Sequence, residues 1–84
     1  MYTNEFLAMD FTEEGKGVVF HYLNESYIAE EYIFEEKEDT THFYMCCLRF
    51  FEAVEFGSPV EKQKLFREFL DTNFLNLTYS RHTY

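Results

Sequence analysis

The chain has 84 residues and a formal net charge of −9, with 16 acidic residues against 7 basic ones. A chain of this length is expected to form one small acidic domain over residues 1–84, with no room for a second. The excess negative charge argues against direct binding to nucleic acid or to an anionic membrane surface, and it favours a basic protein as partner.

The first 23 residues predict a β-hairpin. In residues 5–12, apolar side chains recur at every second position from Leu7, which is the period of a half-buried strand. The polar, glycine-bearing residues 13–17 are typical of a turn. Residues 18–23 follow as a second strand, rich in β-branched and aromatic side chains.

Residues 27–36 are compatible with two structures. As a strand, they place apolar side chains and glutamates on both faces. As a helix, their apolar residues define no stripe along the axis. We favour a third strand at the solvent-exposed edge of the sheet, where acidic side chains discourage pairing between sheets.

The densest apolar segment is residues 41–56, which we interpret as the buried helix of the domain. Its apolar residues recur at intervals of three and four and cover a wide arc. Residues 39–41 are candidates for the N-cap, and Gly57 is the candidate for the helix end. A strand in the first half of this segment is the alternative, but about 16 residues without a breaker is long for a strand.

A second helix is predicted from the residues at its N-terminus. Ser58, Pro59 and Glu61 match an N-cap serine, a proline at the first helical position and the glutamate of a capping box. Residues 76–84 are expected to form a mobile tail or an extra strand. These elements predict an α+β fold, a three-stranded antiparallel meander followed by two helices packed on one face.

The candidate functional surface is an acidic stretch. Seven of the 16 acids lie between Glu25 and Asp39, against the single base Lys37. One interpretation is a solvated edge with a charged loop. The other is a surface that imitates a nucleic-acid backbone, because carboxylates two residues apart on a strand lie about 6.6 Å apart, which is comparable with phosphate spacing. The predicted partner-binding residues are Glu30, Glu31, Glu35, Glu36, Glu38, Asp39, Tyr27, Tyr32 and Phe34, with the carboxylates supplying attraction and the rings supplying anchors.

The cysteines and histidines raise two alternatives, a metal site and a nucleophile–base pair. On a helix, His42 and Cys46 share a face, and Cys47, His21 and His82 are the other available ligands. The short ligand spacing of structural zinc sites is missing, and cysteines among Phe and Leu behave as small hydrophobes. We therefore predict no catalytic residue, no metal and no cofactor, and thiols that stay reduced.

These features predict a non-enzymatic binding protein. Its length, acidity and aromatic content resemble those of phage-encoded inhibitors of host defence nucleases, including anti-CRISPR and anti-restriction proteins. The resemblance implies a nucleic-acid mimic that occupies a basic surface of a nucleic-acid-handling protein in the host cytoplasm. The alternative function is a homo-oligomeric accessory domain, a homodimer for example, in which a second copy covers surplus aromatic surface. No apolar run approaches a membrane span and no secretion signal is recognised, so a cytoplasmic location is expected.

Overall fold

The computed structural model describes residues 1–24, 28–74, 77 and 79–84. Its elements, in chain order, are β1 (Tyr2–Thr3), β2 (Leu7–Phe11), β3 (Gly17–Tyr22), β4 (Ala29–Phe34), α1 (Lys37–Ala53), α2 (Pro59–Asn73) and β5 (Tyr79–Thr83). The strands form one antiparallel sheet in the order β1-β2-β3-β4-β5. Buried side chains from the sheet and from both helices join in a single hydrophobic core.

The predicted α+β class fits this fold, but the predicted count of three strands is wrong, because the sheet has five. β1 is two residues long, too short to show an alternating pattern. β5 follows α2 and pairs with β4 along its whole length, from Phe34↔Tyr79 to Glu30↔Thr83. Most of the tail therefore adds a strand, and β4 lies inside the sheet instead of at its edge.

The strand period assigns side chains to two faces of the sheet. Residues of β2, β3 and β4 that point toward the helices are buried: Leu7, Met9, Val18, Phe20, Tyr22, Glu30, Tyr32 and Phe34. The predicted hairpin is confirmed as β2 and β3, with Met9 opposite Phe20 in the register. The outer face is more open to solvent and carries smaller or polar side chains, such as Ala8 and His21.

α1 begins at Lys37, earlier than the sequence pattern indicates. Its N-cap is Glu36, whose side chain makes no capping hydrogen bond, so the predicted caps at residues 39–41 lie inside the helix. The Thr40 hydroxyl instead donates to the Glu36 carbonyl oxygen at 3.3 Å, an alternative that short polar side chains often take within helices. Gly57, with φ of +118°, lies in the link to α2 instead of ending α1.

The start of α2 is the one predicted. The Ser58 hydroxyl accepts a hydrogen bond from the Glu61 backbone N–H at 3.2 Å, and the Glu61 carboxylate accepts one from the Ser58 N–H at 3.4 Å. Pro59 occupies the first helical position, where its missing N–H costs nothing. An N-cap of this kind contributes about 1 kcal/mol to stability.

The core between the two layers consists mainly of aromatic rings. Phe43 of α1 and Phe66 of α2 are fully buried, and both contact Phe20 at the centre of the sheet. Three further rings surround Phe43, with centroids at 4.7 to 5.1 Å: Phe74, Phe34 and Tyr32. Phe43 therefore joins α1 to the sheet and to the end of α2.

Candidate functional site

β4 places three of the nine predicted partner-binding residues in the interior. Glu30, Tyr32 and Phe34 are 3%, 2% and 2% exposed, because alternate residues of an interior strand face the helices. They belong to the core and not to a partner-binding surface, so the prediction is corrected at these positions. Tyr27 lies outside the described residues.

The other five predicted residues reach the surface. Glu35 and Glu36 link β4 to α1 and are exposed, Glu38 is exposed in the first turn of α1, and Asp39 beside it is half-buried. Acids in the first turn are also stabilised by the positive end of the helix dipole. Glu31 lies apart from these four, on the outer face of β4. Its carboxylate accepts a hydrogen bond from the Tyr84 hydroxyl at 2.9 Å.

The fold brings a second acidic segment to the same end of the sheet. Glu13 and Glu14 are exposed in the turn between β2 and β3. The Phe34 N–H donates to the Lys16 carbonyl oxygen at 2.8 Å, so this turn lies beside the link between β4 and α1. We call the resulting surface the acidic end, which consists of Glu13, Glu14, Glu35, Glu36, Glu38 and Asp39. Sequence reasoning missed Glu13 and Glu14, although the hairpin prediction already placed them at a turn.

The carboxylates of the acidic end outnumber the bases beside them. Against these six acids the same end carries two bases, Lys16 and Lys37, which leaves a net charge of −4. In the part of the chain that the structure describes, no basic group forms an ion pair within 4.0 Å of any of the six. A partner's cations can therefore pair with them without breaking an internal salt bridge.

A groove of about 300 Å³ opens beside the acidic end. Its lining residues are Thr12, Glu13, Glu14, Lys16, Gly17, Glu31 and Ile33. Ile33 is 37% exposed and supplies an apolar surface, while three carboxylates surround it. Gly17 packs closely against Thr12 in the groove lining, and a Cβ at position 17 would lie only 2.8 Å from the Thr12 Cγ2. Such a groove suits the aliphatic stem and charged head of a lysine or arginine from another protein.

Glu30 is the buried centre of an ionic cluster whose two arginines, Arg67 and Arg81, are partly exposed between α2 and the last two strands. Its Oε1 lies 3.3 Å from Arg67 Nη2, and its Oε2 lies 3.3 Å from Arg81 Nε. The Tyr32 hydroxyl donates to Glu30 Oε2 at 3.4 Å. Burial and then the charge of Glu30 raise the pKa of Tyr32, so its hydroxyl keeps its proton and remains a donor. Because both carboxylate oxygens are engaged, this cluster connects β4, β5 and α2 and does not present Glu30 to a partner.

The structure brings His42 and Cys46 together on α1 but leaves the other candidate ligands apart. Cys47 is fully buried in the core, and His21 and His82 are exposed on the outer face of the sheet. Among the described residues, no three His, Cys, Asp or Glu side chains lie close enough to share a metal ion.

Comparison with family models, curated proteins and solved structures finds no match for this chain. Within the described ranges, no helix combines the length and apolar character needed to cross a bilayer.

Proposed function

We propose that the protein is a non-enzymatic binding module that inhibits or modulates a basic, nucleic-acid-handling protein through its acidic end. The observation that carries this proposal is the cluster of six carboxylates, which form no ion pair with any described residue, beside a groove that Ile33 helps to line. The proposal includes no catalytic residue, no cofactor and no direct contact with nucleic acid.

Attraction to such a partner follows from the charge distribution. A net charge of −9 creates a long-range field, and the six acids of the acidic end concentrate it at one end of the sheet. A protein surface that holds phosphates presents lysines and arginines to the same kind of field. Complementary charge of this type mainly accelerates association and weakens as salt screens it.

In this proposal the partner is anchored by the groove beside the acidic end and not by the aromatic rings that the sequence suggested. Tyr32 and Phe34 are buried in the core, so they cannot fill pockets on another protein. In the groove lining, Ile33 and three carboxylates against the single base Lys16 offer a site for one basic side chain of the partner. The proposed location is the cytoplasm. The proposed mode of action is that of a phage-encoded inhibitor, which blocks a host nuclease by occupying its basic surface.

The proposal predicts that charge reversal at the acidic end weakens binding. The double variant Glu35→Lys/Glu36→Lys should lose affinity for a basic partner by about tenfold or more, because like charges then face each other. The measurement is displacement of a fluorescently labelled DNA duplex from purified basic DNA- and RNA-binding proteins, at low and at high salt. Loss of displacement by the variant at low salt is the expected result.

A matched control uses acids at the opposite end of α1. Glu52 and Glu55 are both exposed: Glu52 lies in the last turn of α1, and Glu55 lies two residues beyond the end of that helix. At about 1.5 Å per residue, Glu52 is about 20 Å from the first turn of α1. Glu52→Lys/Glu55→Lys changes the net charge equally, so it should retain most of the displacement. If the unmodified protein displaces no duplex, or if both double variants weaken equally, the acidic end is not the binding surface.

Self-association is a second candidate function, favoured by a different part of the molecule. Phe56 in the link between the helices is 85% exposed, and Val60 in the first turn of α2 is exposed as well. If a second copy covers these side chains, sedimentation at micromolar concentration should show a dimer that Phe56→Ser converts to a monomer. A monomer before any substitution would remove this candidate and leave the acidic-end proposal unaffected.

A further inference from the structure

A second cavity, of about 340 Å³, lies between α1 and the C-terminal half of α2. Its lining residues are His42, Cys46, Arg49, Phe50, Phe69, Asn73 and Phe74. Phe50 and Phe69 stack at a centroid distance of 4.7 Å and form an apolar wall. Among the described residues, no acidic side chain lines this cavity, so its character differs from that of the groove beside the acidic end.

The cavity contains a thiol next to an imidazole. Cys46 Sγ lies 3.6 Å from His42 Nε2 and 4.0 Å from His42 Nδ1, because residues four apart share one face of a helix. Arg49 adds a positive charge within the same lining. Two acids of the first turn of α1 lie on this side of the helix: Glu38, four residues before His42, and Asp39, three residues before His42 and seven before Cys46. A partly exposed thiol within reach of an imidazole that can take its proton is the arrangement in which a cysteine acts as a nucleophile.

The neighbouring Cys47 has the opposite environment. It is fully buried, and burial together with the neighbouring Cys46 raises the pKa of its thiol. The chain therefore carries two thiols of contrasting accessibility at adjacent positions. Cys47 serves as an internal control for any claim about Cys46.

We infer that Cys46 is a site of covalent modification by small disulfides that carry a carboxylate, with His42 as the proton acceptor and Arg49 as the carboxylate contact. The Cys46 sulfur attacks one sulfur of the disulfide, a new S–S bond forms and the original S–S bond breaks. The proton of the thiol passes to His42, and the second half of the reagent leaves as a thiolate. No further oxidant is needed, since the disulfide itself is reduced.

The test uses 5,5′-dithiobis(2-nitrobenzoate), an aromatic disulfide with carboxylates, on the folded protein. We expect one thiol to react rapidly and the other only after unfolding in urea. Cys46→Ser should remove the rapid phase, whereas Cys47→Ser should keep it. Mass spectrometry after exposure to glutathione disulfide should place a single adduct on Cys46.

His42 and Arg49 have separate readouts in the same assay. His42→Gln should slow the rapid phase by about tenfold or more near neutral pH and change how its rate depends on pH, because the proton acceptor beside the thiol is lost. Arg49→Gln should slow the reaction with the anionic reagent but not with neutral 4,4′-dithiodipyridine. Circular dichroism before each assay confirms that the variant is folded.

Three outcomes would overturn the inference. They are a rapid phase that persists in Cys46→Ser, a Cys46 rate no higher than that of a cysteine in an unstructured peptide, and a His42→Gln variant whose rate and pH profile are unchanged. Since no residue of the acidic end takes part, these outcomes leave the proposed binding function untouched.

Discussion

Replacement of Phe43 by alanine is expected to lower the free energy of unfolding by about 4 kcal/mol. The ring is fully buried and contacts four others, those of Phe20, Tyr32, Phe34 and Phe74. Its removal loses the transfer free energy of the ring and leaves a cavity that the fixed sheet cannot fill. Urea denaturation followed by circular dichroism measures the change. The slope of the unfolding free energy against urea concentration, the m-value, is expected to stay constant.

The chain supplies a matched control for this substitution. Phe56 is 85% exposed, so Phe56→Ala should change the free energy of unfolding by less than about 0.5 kcal/mol. Phe43→Leu, which keeps most of the volume, should cost clearly less than Phe43→Ala and remains measurable if the alanine variant does not fold. Equal effects of Phe43→Ala and Phe56→Ala would contradict the placement of Phe43 at the centre of the core.

Glu30→Ala is expected to cost about 3 kcal/mol, the second largest effect among these predictions. The substitution removes the buried carboxylate that lies 3.3 Å from both Arg67 and Arg81, while Asp71 stays 3.6 Å from Arg81. Because the cluster connects β5 to α2, hydrogen exchange should also accelerate in β5. The same urea experiment gives the free energy, and mass-resolved hydrogen exchange locates the loosened strand.

Two further variants test whether the loss of stability in Glu30→Ala comes from the burial of the carboxylate or from its charge. Glu31→Gln, the neighbour on the exposed face, should cost less than about 1 kcal/mol because its contact with Tyr84 is at the surface. Replacing the three charged residues together, Glu30→Met with Arg67→Met and Arg81→Met, should restore much of the loss, as apolar substitutes often do for buried ion clusters. A Glu30→Ala variant as stable as Glu31→Gln would show that the cluster contributes nothing to the fold.

Part of the candidate site could be predicted from the sequence and part could not. The acids at positions 35, 36, 38 and 39 reach the surface, as predicted, although residues 35 and 36 follow β4 instead of belonging to an edge strand. Glu30 was misassigned because β4 carries both glutamates and apolar residues on each face, so its alternation cannot show which face is inside. Glu13 and Glu14 lie far from Glu35 in sequence, and only the pairing of β3 with β4 brings them together.

By itself, the sequence determined the hairpin of β2 and β3, the capping box of α2 and the strong negative charge, because each depends on neighbouring residues alone. Tertiary structure decided the rest. β1 and β5 are strands because they find partners in β2 and β4, and α1 begins at Lys37 because packing against the sheet outweighs the local cap signals. The same packing buries Glu30, Tyr32 and Phe34 and gathers six carboxylates at one end, since backbone pairing joins segments that are distant in the chain.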